Sequence, residues 1–261
     1  MKRRFAFLFI GLLCAMGASA QNFPTYLKME GTVITRCDKA ALPANIVIPD
    51  GVTEIGSWTF SECKSLASVT IPDGVTKIGK YAFAFSTSLV TVSIPASVKE
   101  IGSDVFSECT SLSSVSLPEG VTKIGWAAFY GCESLASVSI PEGVTEIFSD
   151  TFAGCTSLVS VSIPESVKKI GSVAFCGCKS LESITLPKSL AKIGAEAFRD
   201  CESLKSVSIP KSVTEIGEGA FSNCNNLTIH YDGTKAQWKA IKKYYSGTSP
   251  VRCSDGESPG F

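Results

Sequence analysis

The sequence predicts a repeat solenoid in which short parallel β-strands of successive coils stack along one axis. Three sets of residues predict it, because each recurs every 23 positions without a break. A fixed period of 20–30 residues is typical of stacked coils. The three sets are Pro49, Pro72, Pro95, Pro118, Pro141, Pro164, Pro187 and Pro210; Phe60, Phe83, Phe106, Phe129, Phe152, Phe175, Phe198 and Phe221; and Leu66, Leu89, Leu112, Leu135, Leu158, Leu181, Leu204 and Leu227.

A single coil cannot cover its own apolar side, so stacking against its neighbours must bury that side. We therefore predict one solenoid of about eight coils over residues 48–227. Residues 21–47 form an N-terminal cap and residues 228–261 a C-terminal cap. This arrangement leaves no room for a separate catalytic domain.

Each coil begins with a strand that is buried on one face. Val69 and Ile71 alternate with Ser68 and Thr70, which is the period-two pattern of a half-buried strand. Pro72 ends the strand, because it cannot donate the next backbone hydrogen bond.

The rest of the coil returns to the core through a corner. Val75 and Ile78 point inward, and Gly79 permits the chain to turn. Phe83 then fills the core from a short helical or irregular turn, before Leu89 begins the next coil.

The two ends are predicted to close the stack, because bare strand edges invite aggregation. Residues 29–34 and 44–48 form incomplete coils at the start. Near the finish, Thr234 and Gln237 form a capping box for an amphipathic helix over residues 234–245. Trp238, Ile241 and Tyr245 make its apolar stripe, which is either a lid on the last coil or one face of a basic, membrane-binding helix. Residues 251–253 add a short strand, and residues 254–261 fray.

The first twenty residues have the pattern of a cleavable secretory signal. Three basic residues precede an apolar segment over residues 5–16, and Ala18, Ser19 and Ala20 supply the small side chains for cleavage. The apolar segment is too short to span a bilayer. A lipid anchor on Cys14 is not expected, because a small residue is needed directly before the modified cysteine and Leu13 is bulky. We expect a secreted or cell-surface protein, with no transmembrane segment.

The charge balance argues against nucleic acid as a partner. The chain holds 24 Lys and Arg residues against 24 Asp and Glu residues. Cleavage after Ala20 removes three basic residues and leaves a mildly acidic chain without the basic footprint that nucleic-acid binding requires.

One segment, IPDGVTKIGKYAF at residues 71–83, resembles a phosphate-binding loop through Gly74, Gly79 and Lys80. Such a loop needs Ser or Thr after the lysine and a helix that begins there, but Tyr81 occupies that place. The glycines are repeat glycines, and the sequence predicts no cofactor.

The cysteines form a column with the same period, which Ser86 joins in one coil. Equivalent side chains of stacked coils point the same way, which disfavours disulfides between them. Because Ser86 shows that a small group suffices, we predict buried free thiols. Cys37 and Cys253 stand at opposite ends and cannot pair with each other. The column comprises Cys63, Cys109, Cys132, Cys155, Cys178, Cys201 and Cys224.

Two other kinds of column run along the coils. Hydroxyl residues, such as Ser68 and Thr70 and their equivalents, form either a polar docking face or merely a crowded, solvated sheet. Charged residues mostly alternate in sign and set the register through weak exposed pairs. The charged column comprises Glu54, Lys77, Glu100, Lys123, Glu146, Lys169, Lys192 and Glu215.

Catalytic and metal sites are not predicted. His230 is the single histidine, and a serine nucleophile needs a base within hydrogen-bond reach. Cys176 and Cys178 form a C-x-C without nearby histidines, which is a weak metal signal. We therefore expect no enzymatic activity.

Six aromatic residues interrupt the small or polar side chains that the repeat places at its outer turns. Aromatic residues are enriched in binding patches, so we predict that they contact a partner. The alternative is that each ring packs on its own coil. The six candidates are Trp58, Tyr81, Phe85, Trp126, Tyr130 and Phe148.

The repeat unit resembles the BspA-like, or treponemal-type, leucine-rich repeat. The units SVTIPDGVTKIGKYAFAFSTSL and SVSLPEGVTKIGWAAFYGCESL carry most of its signature of I-P, V-x-x-I-G, A-F, C and S-L, which recurs over residues 48–227. The ends MEGTVITRC and IHYDGTKAQWKAI resemble its usual first and last segments. The resemblance implies a right-handed leucine-rich-repeat horseshoe on a secreted or surface-exposed protein.

Members of that family act as adhesins for host, matrix or plasma proteins, or mediate contact between cells. The resemblance thus implies a protein-binding module whose ligand is a host or extracellular-matrix protein. The alternative is a structural or glycan-binding surface protein, which the hydroxyl columns favour. Neither the ligand nor the oligomeric state follows from the sequence, because a fold does not specify a partner.

Overall fold

The computed structural model describes residues 23–243 and 250–258, so the predicted signal peptide at residues 1–20 lies outside it. Strands of neighbouring coils pair in parallel, and the chain forms a solenoid of about nine turns. This confirms the predicted fold class. We number the coils 1 to 8 by the phenylalanine that each contains, from Phe60 to Phe221.

The strands are two to five residues long, and most coils hold one longer and one shorter strand. The N-terminal cap contributes β1 (Leu27–Glu30) and β2 (Val33–Cys37). The coils follow with β3 (Asn45–Val47), β4 (Glu54–Ile55), β5 (Ser68–Thr70), β6 (Lys77–Ile78), β7 (Thr91–Ser93), β8 (Glu100–Ile101), β9 (Ser114–Ser116), β10 (Lys123–Ile124), β11 (Ser137–Ser139), β12 (Glu146–Ile147), β13 (Ser160–Ser162), β14 (Lys169–Ile170), β15 (Ser183–Thr185), β16 (Lys192–Ile193), β17 (Ser206–Ile209) and β18 (Glu215–Ile216).

These strands form two faces, and residues 23 apart are partners on both. The long-strand face holds the odd-numbered strands β3–β17, where Val69 pairs with Val92. The short-strand face holds the even-numbered strands β4–β18, where Ile78 pairs with Ile101. The valines and isoleucines point into the core, as the alternation of the sequence predicts.

A column of stacked phenylalanine rings occupies the centre of the core. From Phe60 to Phe221, successive ring centroids lie 5.3–5.4 Å apart with interplanar angles of 3–20°. All eight rings are at most 2% exposed. Each ring therefore packs against the next coil, and offset aromatic stacking adds to the burial of apolar surface.

The turn that carries each phenylalanine is held by backbone hydrogen bonds between coils rather than by a helix. The Phe60 N–H donates to the Ala82 carbonyl (2.7 Å), and the Phe83 N–H donates to the Val105 carbonyl (2.9 Å). Two positions of this turn have positive φ in every coil. One is the column Trp58, Tyr81, Asp104, Ala127, Asp150, Val173, Glu196 and Gly219; the other is Glu62, Phe85, Glu108, Gly131, Gly154, Gly177, Asp200 and Asn223.

Seven members of the cysteine column, Ser86 included, each donate to a phenylalanine carbonyl of the preceding coil. Each thiol from Cys109 to Cys224 donates to the carbonyl of the phenylalanine 26 residues earlier, at 3.1–3.2 Å. Ser86 makes the same bond to Phe60 (2.7 Å) and also accepts the Cys63 N–H (3.1 Å). The described cysteines are free thiols, and the whole column is buried, as predicted.

The N-terminal cap is a β-hairpin rather than incomplete coils alone. β1 and β2 pair in antiparallel fashion, and β2 then pairs in parallel with β4 of coil 1. β3 begins the long-strand face by pairing with β5. The hairpin thus covers the first coil on the short-strand face.

The C-terminal cap closes the other end of the core. It consists of β19 (Thr228–Tyr231), α1 (Lys235–Ala240), β20 (Lys242–Lys243), β21 (Val251–Cys253) and β22 (Gly256–Ser258). Thr234 and Gln237 form the predicted capping box. Trp238 is 1% exposed and lies against Tyr231, with ring centroids 5.3 Å apart. The helix is therefore a lid on the last coil.

Two details of this cap correct the sequence prediction. The helix does not reach residue 245: it ends at Ala240, and Ile241 is extended. The chain leaves the helix because β20 adds to the short-strand face beside β18. Lys243 supports this exit by donating to the Trp238 carbonyl (2.6 Å). Tyr245, the third residue of the predicted stripe, lies outside the described residues.

The tail was expected to fray from residue 254, but β22 pairs with β21 in antiparallel fashion. Arg252 pairs with Glu257 in this register, and the two side chains approach to 3.8 Å. Ser258 is buried at the end of the strand. A final hairpin therefore protects the last edge of the long-strand face.

We expect Phe129→Ala to lower the free energy of unfolding by about 3–5 kcal/mol, because it leaves a cavity in the middle of the ring column. Urea unfolding followed by circular dichroism measures the change. The exposed Ser137→Ala is the control and should stay within about 0.5 kcal/mol of the wild type. A loss from Phe129→Ala no larger than that of the control would contradict a central role for the rings.

A second expectation concerns Ser86. Ser86→Cys should preserve stability, because six other coils hold cysteine in this place with the same bond to a carbonyl. Ser86→Ala should lower the free energy of unfolding by about 1–3 kcal/mol, because it leaves the buried Phe60 carbonyl and Cys63 N–H without partners. Urea unfolding measures both variants. Equal free energies of unfolding would show that the hydrogen bond to the Phe60 carbonyl does not contribute to stability.

Candidate partner-binding surface

Two aromatic side chains stack on the surface of coils 1 and 2. The rings of Trp58 and Tyr81 lie 4.0 Å apart at an interplanar angle of 10°. Trp58 is 54% exposed, which is unusual for so large an apolar group. The Tyr81 hydroxyl contacts Asp104 of coil 3, whose negative charge raises the pKa of Tyr81. Burial raises the pKa of Asp104, and the hydrogen bond from Tyr81 partly opposes that shift.

The backbone does not favour aromatic residues at these positions. Trp58 and Tyr81 have φ values of 63° and 57°, in the column that other coils fill with Asp, Ala, Val, Glu or Gly. Left-handed backbone costs a residue with a side chain about 1–2 kcal/mol. Every coil has positive φ at this position, so the strain belongs to the repeat and does not by itself distinguish these two residues. The fold alone gives no reason for aromatic rings here.

The short-strand face ends in a column of glycines that lets neighbouring coils approach closely. The column comprises Gly56, Gly79, Gly102, Gly125, Gly171, Gly194 and Gly217, with Phe148 in the remaining coil. A Cβ atom built on Gly79 would lie 2.6 Å from the backbone nitrogen of Ser57. The coils are therefore too close for a side chain at this position.

Phe148 breaks this contact between coils 4 and 5. At the other steps of this column, the glycine N–H donates to the carbonyl of an isoleucine in the preceding turn, as Gly125 does to Ile101 (2.9 Å). Within the described residues, the N–H of Phe148 makes no such bond to Ile124, and β10 does not pair with β12. The long-strand face is interrupted at this boundary, between β9 and β11, and again between β13 and β15, where the short-strand face is continuous.

A groove lies at this break. Its walls include Trp126, which is 61% exposed, and Phe148, whose ring centroid is 6.3 Å from that of Trp126 in an edge-on arrangement. The groove encloses about 300 Å³, and its lining comprises Lys80, Ser103, Lys123, Gly125, Trp126 and Phe148. An adjoining depression of about 200 Å³ shares four of these residues and extends to Ser57 of coil 1. We call the two together the aromatic groove.

Two lysines of the aromatic groove have no ion-pair partner among the described residues, although Glu100 lines the same depression and the charge of Lys80 acts on Asp104. Elsewhere on the short-strand face, lysines form ion pairs with the glutamates of neighbouring coils, namely Lys77 with Glu54, Lys169 with Glu146 and Lys192 with Glu215, at 2.6–2.9 Å. Among the described residues, Lys80 and Lys123 form no such pair, and both are exposed. Glu100 pairs in register with Lys123 and lines the depression, but no ion pair joins them.

The structure places four of the six predicted aromatic residues in two contacting pairs, Trp58 with Tyr81 and Trp126 with Phe148. Trp126 and Phe148 form walls of the aromatic groove, while Trp58 and Tyr81 directly follow its lining residues Ser57 and Lys80 in the chain. Phe85 and Tyr130 are each 41% exposed, on the outer turns of coils 2 and 4, and do not line the groove.

Of the groove residues, the sequence predicts only Trp126 and Phe148 as partner-binding side chains. In the sequence, Lys80 resembles part of a phosphate-binding loop, and Lys123 belongs to the charged column. Ser103 has the commonest side chain of its column and gave no signal. The one signal for Lys80 was its place in a column that other coils fill with Ser, Trp, Ala or Glu.

The other candidate sites lack the groups that chemistry would need. Gly79 packs against the backbone of coil 1, and no helix follows Lys80. Cys178 is buried against the Phe152 carbonyl, whereas Cys176 lies at the partly exposed turn. Across residues 23–243 and 250–258, no group of three or more His, Cys, Asp and Glu side chains could hold a metal ion. Nor does any helix in these ranges have the length and apolar character to cross a bilayer.

We expect Phe148→Gly to restore the pairing of β10 with β12. Glycine would let coils 4 and 5 approach as their neighbours do, so the N–H groups of residues 145 and 148 should find carbonyl partners. Amide hydrogen exchange should slow at both residues and approach the rates of Thr122 and Gly125, which already make these bonds. Unchanged exchange at both amides would mean that Phe148 is not what separates the coils.

Comparison with known proteins agrees with this fold. The family model described as "BspA type Leucine rich repeat region (6 copies)" matches residues 39–159 and 145–237. None of the curated proteins matches the sequence.

Two solved structures are similar over most of the chain. A leucine-rich repeat protein from Bacteroides ovatus is 29% identical with a TM-score of 0.68, and the match covers 87% of this chain and 68% of that one. A leucine-rich repeat protein from T. pallidum is 27% identical with a TM-score of 0.53, and the match covers 80% and 86%. Since the family model spans most of the residues, this chain belongs to the BspA-type leucine-rich repeat family.

Proposed function

We propose that the chain is a secreted or cell-surface protein-binding module that contacts a host or matrix protein, or another cell, through the aromatic groove. The observation that carries this proposal is the groove beside the break at Phe148, which is lined by Trp126, Lys80 and Lys123. Buried aromatic anchors contribute most of the affinity in many protein interfaces.

The proposed location outside the cell is supported by the first twenty residues. Their basic start, apolar middle and small residues before position 21 are those of a cleavable export signal. Membership of a repeat family whose solenoids present extended surfaces is consistent with a binding role at that location.

The charge of the groove indicates what kind of partner segment fits it. Lys80 and Lys123 are exposed and have no ion-pair partner, while Trp126 and Phe148 offer apolar contact between coils 4 and 5. An acidic segment with an aromatic or aliphatic side chain would neutralise the lysines and cover the rings. Charge complementarity of this kind mainly raises the association rate and selects the partner.

The stacked pair of Trp58 and Tyr81 would extend the interface toward coil 1. Both rings are already held in one orientation by their mutual contact and by Asp104, so binding would restrict them little. Phe85 and Tyr130, which lie outside the groove, would belong to the rim of a large partner. Rim contacts usually add little energy.

A second candidate function, glycan binding, is favoured by the long-strand face. Its exposed hydroxyl residues form two continuous columns, of which Ser137, Ser160 and Ser162 are examples. Such columns could donate hydrogen bonds to an extended polysaccharide. Neither candidate involves catalysis, and a family of structural repeats supports a non-enzymatic role.

The first step of the test is a solid-phase panel of matrix and plasma proteins, run beside a glycan array with the chain lacking residues 1–20. Binding to one or more proteins is the expected result. Binding to glycans alone would favour the second candidate, and no binding to either panel would count against both.

The second step uses variants in which the two groove aromatics and the stacked pair beside them each receive a residue that their own column holds in another coil. These are Trp58→Asp, Tyr81→Asp, Trp126→Ser and Phe148→Gly, which the backbone tolerates elsewhere. Trp126→Ser alone should weaken binding by about tenfold, and the fourfold variant by more, because hot-spot residues carry most of the energy. Surface plasmon resonance measures the dissociation constant.

A matched control removes an exposed apolar side chain far from the groove. Val159→Ala on coil 6 changes a residue that is 47% exposed and should leave affinity within about twofold of the wild type. Lys80→Ser should weaken binding and reduce its dependence on salt. If the fourfold variant bound like the control, the groove would not be the binding site.

A further inference from the structure

The contact between the N-terminal cap and coil 1 differs from every later step of the cysteine column. In coils 3 to 8 the thiol donates to the carbonyl of the residue 26 positions earlier, which is always a phenylalanine. For Cys63 the residue 26 positions earlier is Cys37, the last residue of β2. The two thiols meet instead, with the Sγ atoms 3.4 Å apart.

Cys37 also stands outside the 23-residue register that orients the other column members alike. It lies at the end of β2, three residues after Ile34, whereas Cys63 lies eight residues after Ile55, the partner of Ile34. Equivalent side chains of stacked coils point the same way, which disfavours a disulfide between them. Cys37 and Cys63 are not equivalent positions, so this constraint does not hold for them. Both residues are buried, at 7% and 1% exposure.

We propose that Cys37 and Cys63 form an oxidative modification site, in which a disulfide fastens the N-terminal hairpin to coil 1. The reaction takes a disulfide-bearing oxidant, such as a thiol oxidase or oxidised glutathione. One protein thiolate attacks the oxidant and releases one thiol. The second protein thiolate then attacks the mixed disulfide and releases the other. The two cysteines lose two protons and two electrons, and the oxidant is reduced to two thiols.

The two thiols share one hydrogen bond in the folded chain, and either sulfur can be its donor. Because both residues are buried there, oxidation would occur before the hairpin docks or when it opens locally. The thiolate is the attacking species, and in the opened state either cysteine can form the mixed disulfide that the other resolves.

The cross-link would fix the part of the cap that supports the first turn of the proposed surface. The Gly56 N–H donates to the Ile34 carbonyl of β2 (2.8 Å), and the Thr59 hydroxyl donates to the same carbonyl (3.0 Å). Trp58 lies between these two residues. The inference does not rest on the proposed binding function and shares with it only the export to an oxidising compartment, where disulfides persist.

Peptide mapping tests the linkage directly. The full chain lacking residues 1–20 is incubated with oxidised glutathione, alkylated in denaturant and digested with trypsin without reduction. The expected result is a peptide of residues 37–39 joined to one of residues 40–64, lighter than their sum by two hydrogens. Cys132 and Cys155, which donate to phenylalanine carbonyls, should be alkylated.

Two outcomes would overturn the proposal. In one, Cys37 and Cys63 are both alkylated after oxidation. In the other, the cross-link joins a different pair, such as Cys201 and Cys224, which are neighbouring members of the buried column.

Local stability supplies a second measurement that does not depend on mapping. Oxidation should slow amide hydrogen exchange in residues 27–37 by on the order of 100-fold, because it closes a loop between hairpin and coil. Cys37→Ser should abolish the effect of the oxidant while the solenoid stays folded, since serine replaces cysteine at Ser86. Cys178→Ser, the matched control, should keep the full effect. An equal response of the two variants would contradict the site.

Discussion

The structure depends on the fact that no coil can bury its own apolar residues. The phenylalanine ring, the leucine and the inward-pointing strand residues of each coil are buried only because the neighbouring coils cover them. The rings from Phe60 to Phe221 form one continuous stack, in which each ring is covered by those of the neighbouring coils. Stability is therefore a sum of contacts between neighbours, and the two caps are part of the core rather than additions to it.

Close approach of the coils follows from the same constraint and explains where variation is tolerated. The glycine column brings backbones so near that a Cβ atom would collide, whereas the outer turn accepts any residue that can adopt positive φ. Trp58 and Tyr81 use that tolerance without disturbing the stack. Phe148 does not: it gives up inter-coil hydrogen bonds in exchange for a groove. An aromatic residue at the outer turn leaves the backbones of neighbouring coils in contact. An aromatic residue in the glycine column separates them, so only this second substitution interrupts the short-strand face.

Much of this could be predicted from the sequence, because a fixed period converts sequence positions directly into neighbours in space. The ring column, the buried thiols and the capping box at Thr234 follow from that conversion. The groove does not, because it depends on how closely backbones approach at Gly125 and on which lysines find a glutamate. Cys37 escaped prediction since it stands 26 residues from its neighbour, outside the period. The end of the helix was set by the pairing of β20, which no local pattern announces.

The replacement at residue 148 also bears on how such a scaffold can acquire new binding sites. All the remaining coils carry a glycine at the position of Phe148. A single codon change in any of them could therefore open a comparable groove elsewhere along the solenoid. The place of the groove along the solenoid would then depend on which glycine is replaced, whereas its lining would depend on the side chains of the adjacent turns. A lineage could in this way shift or duplicate a recognition site without redesigning the coil that carries it.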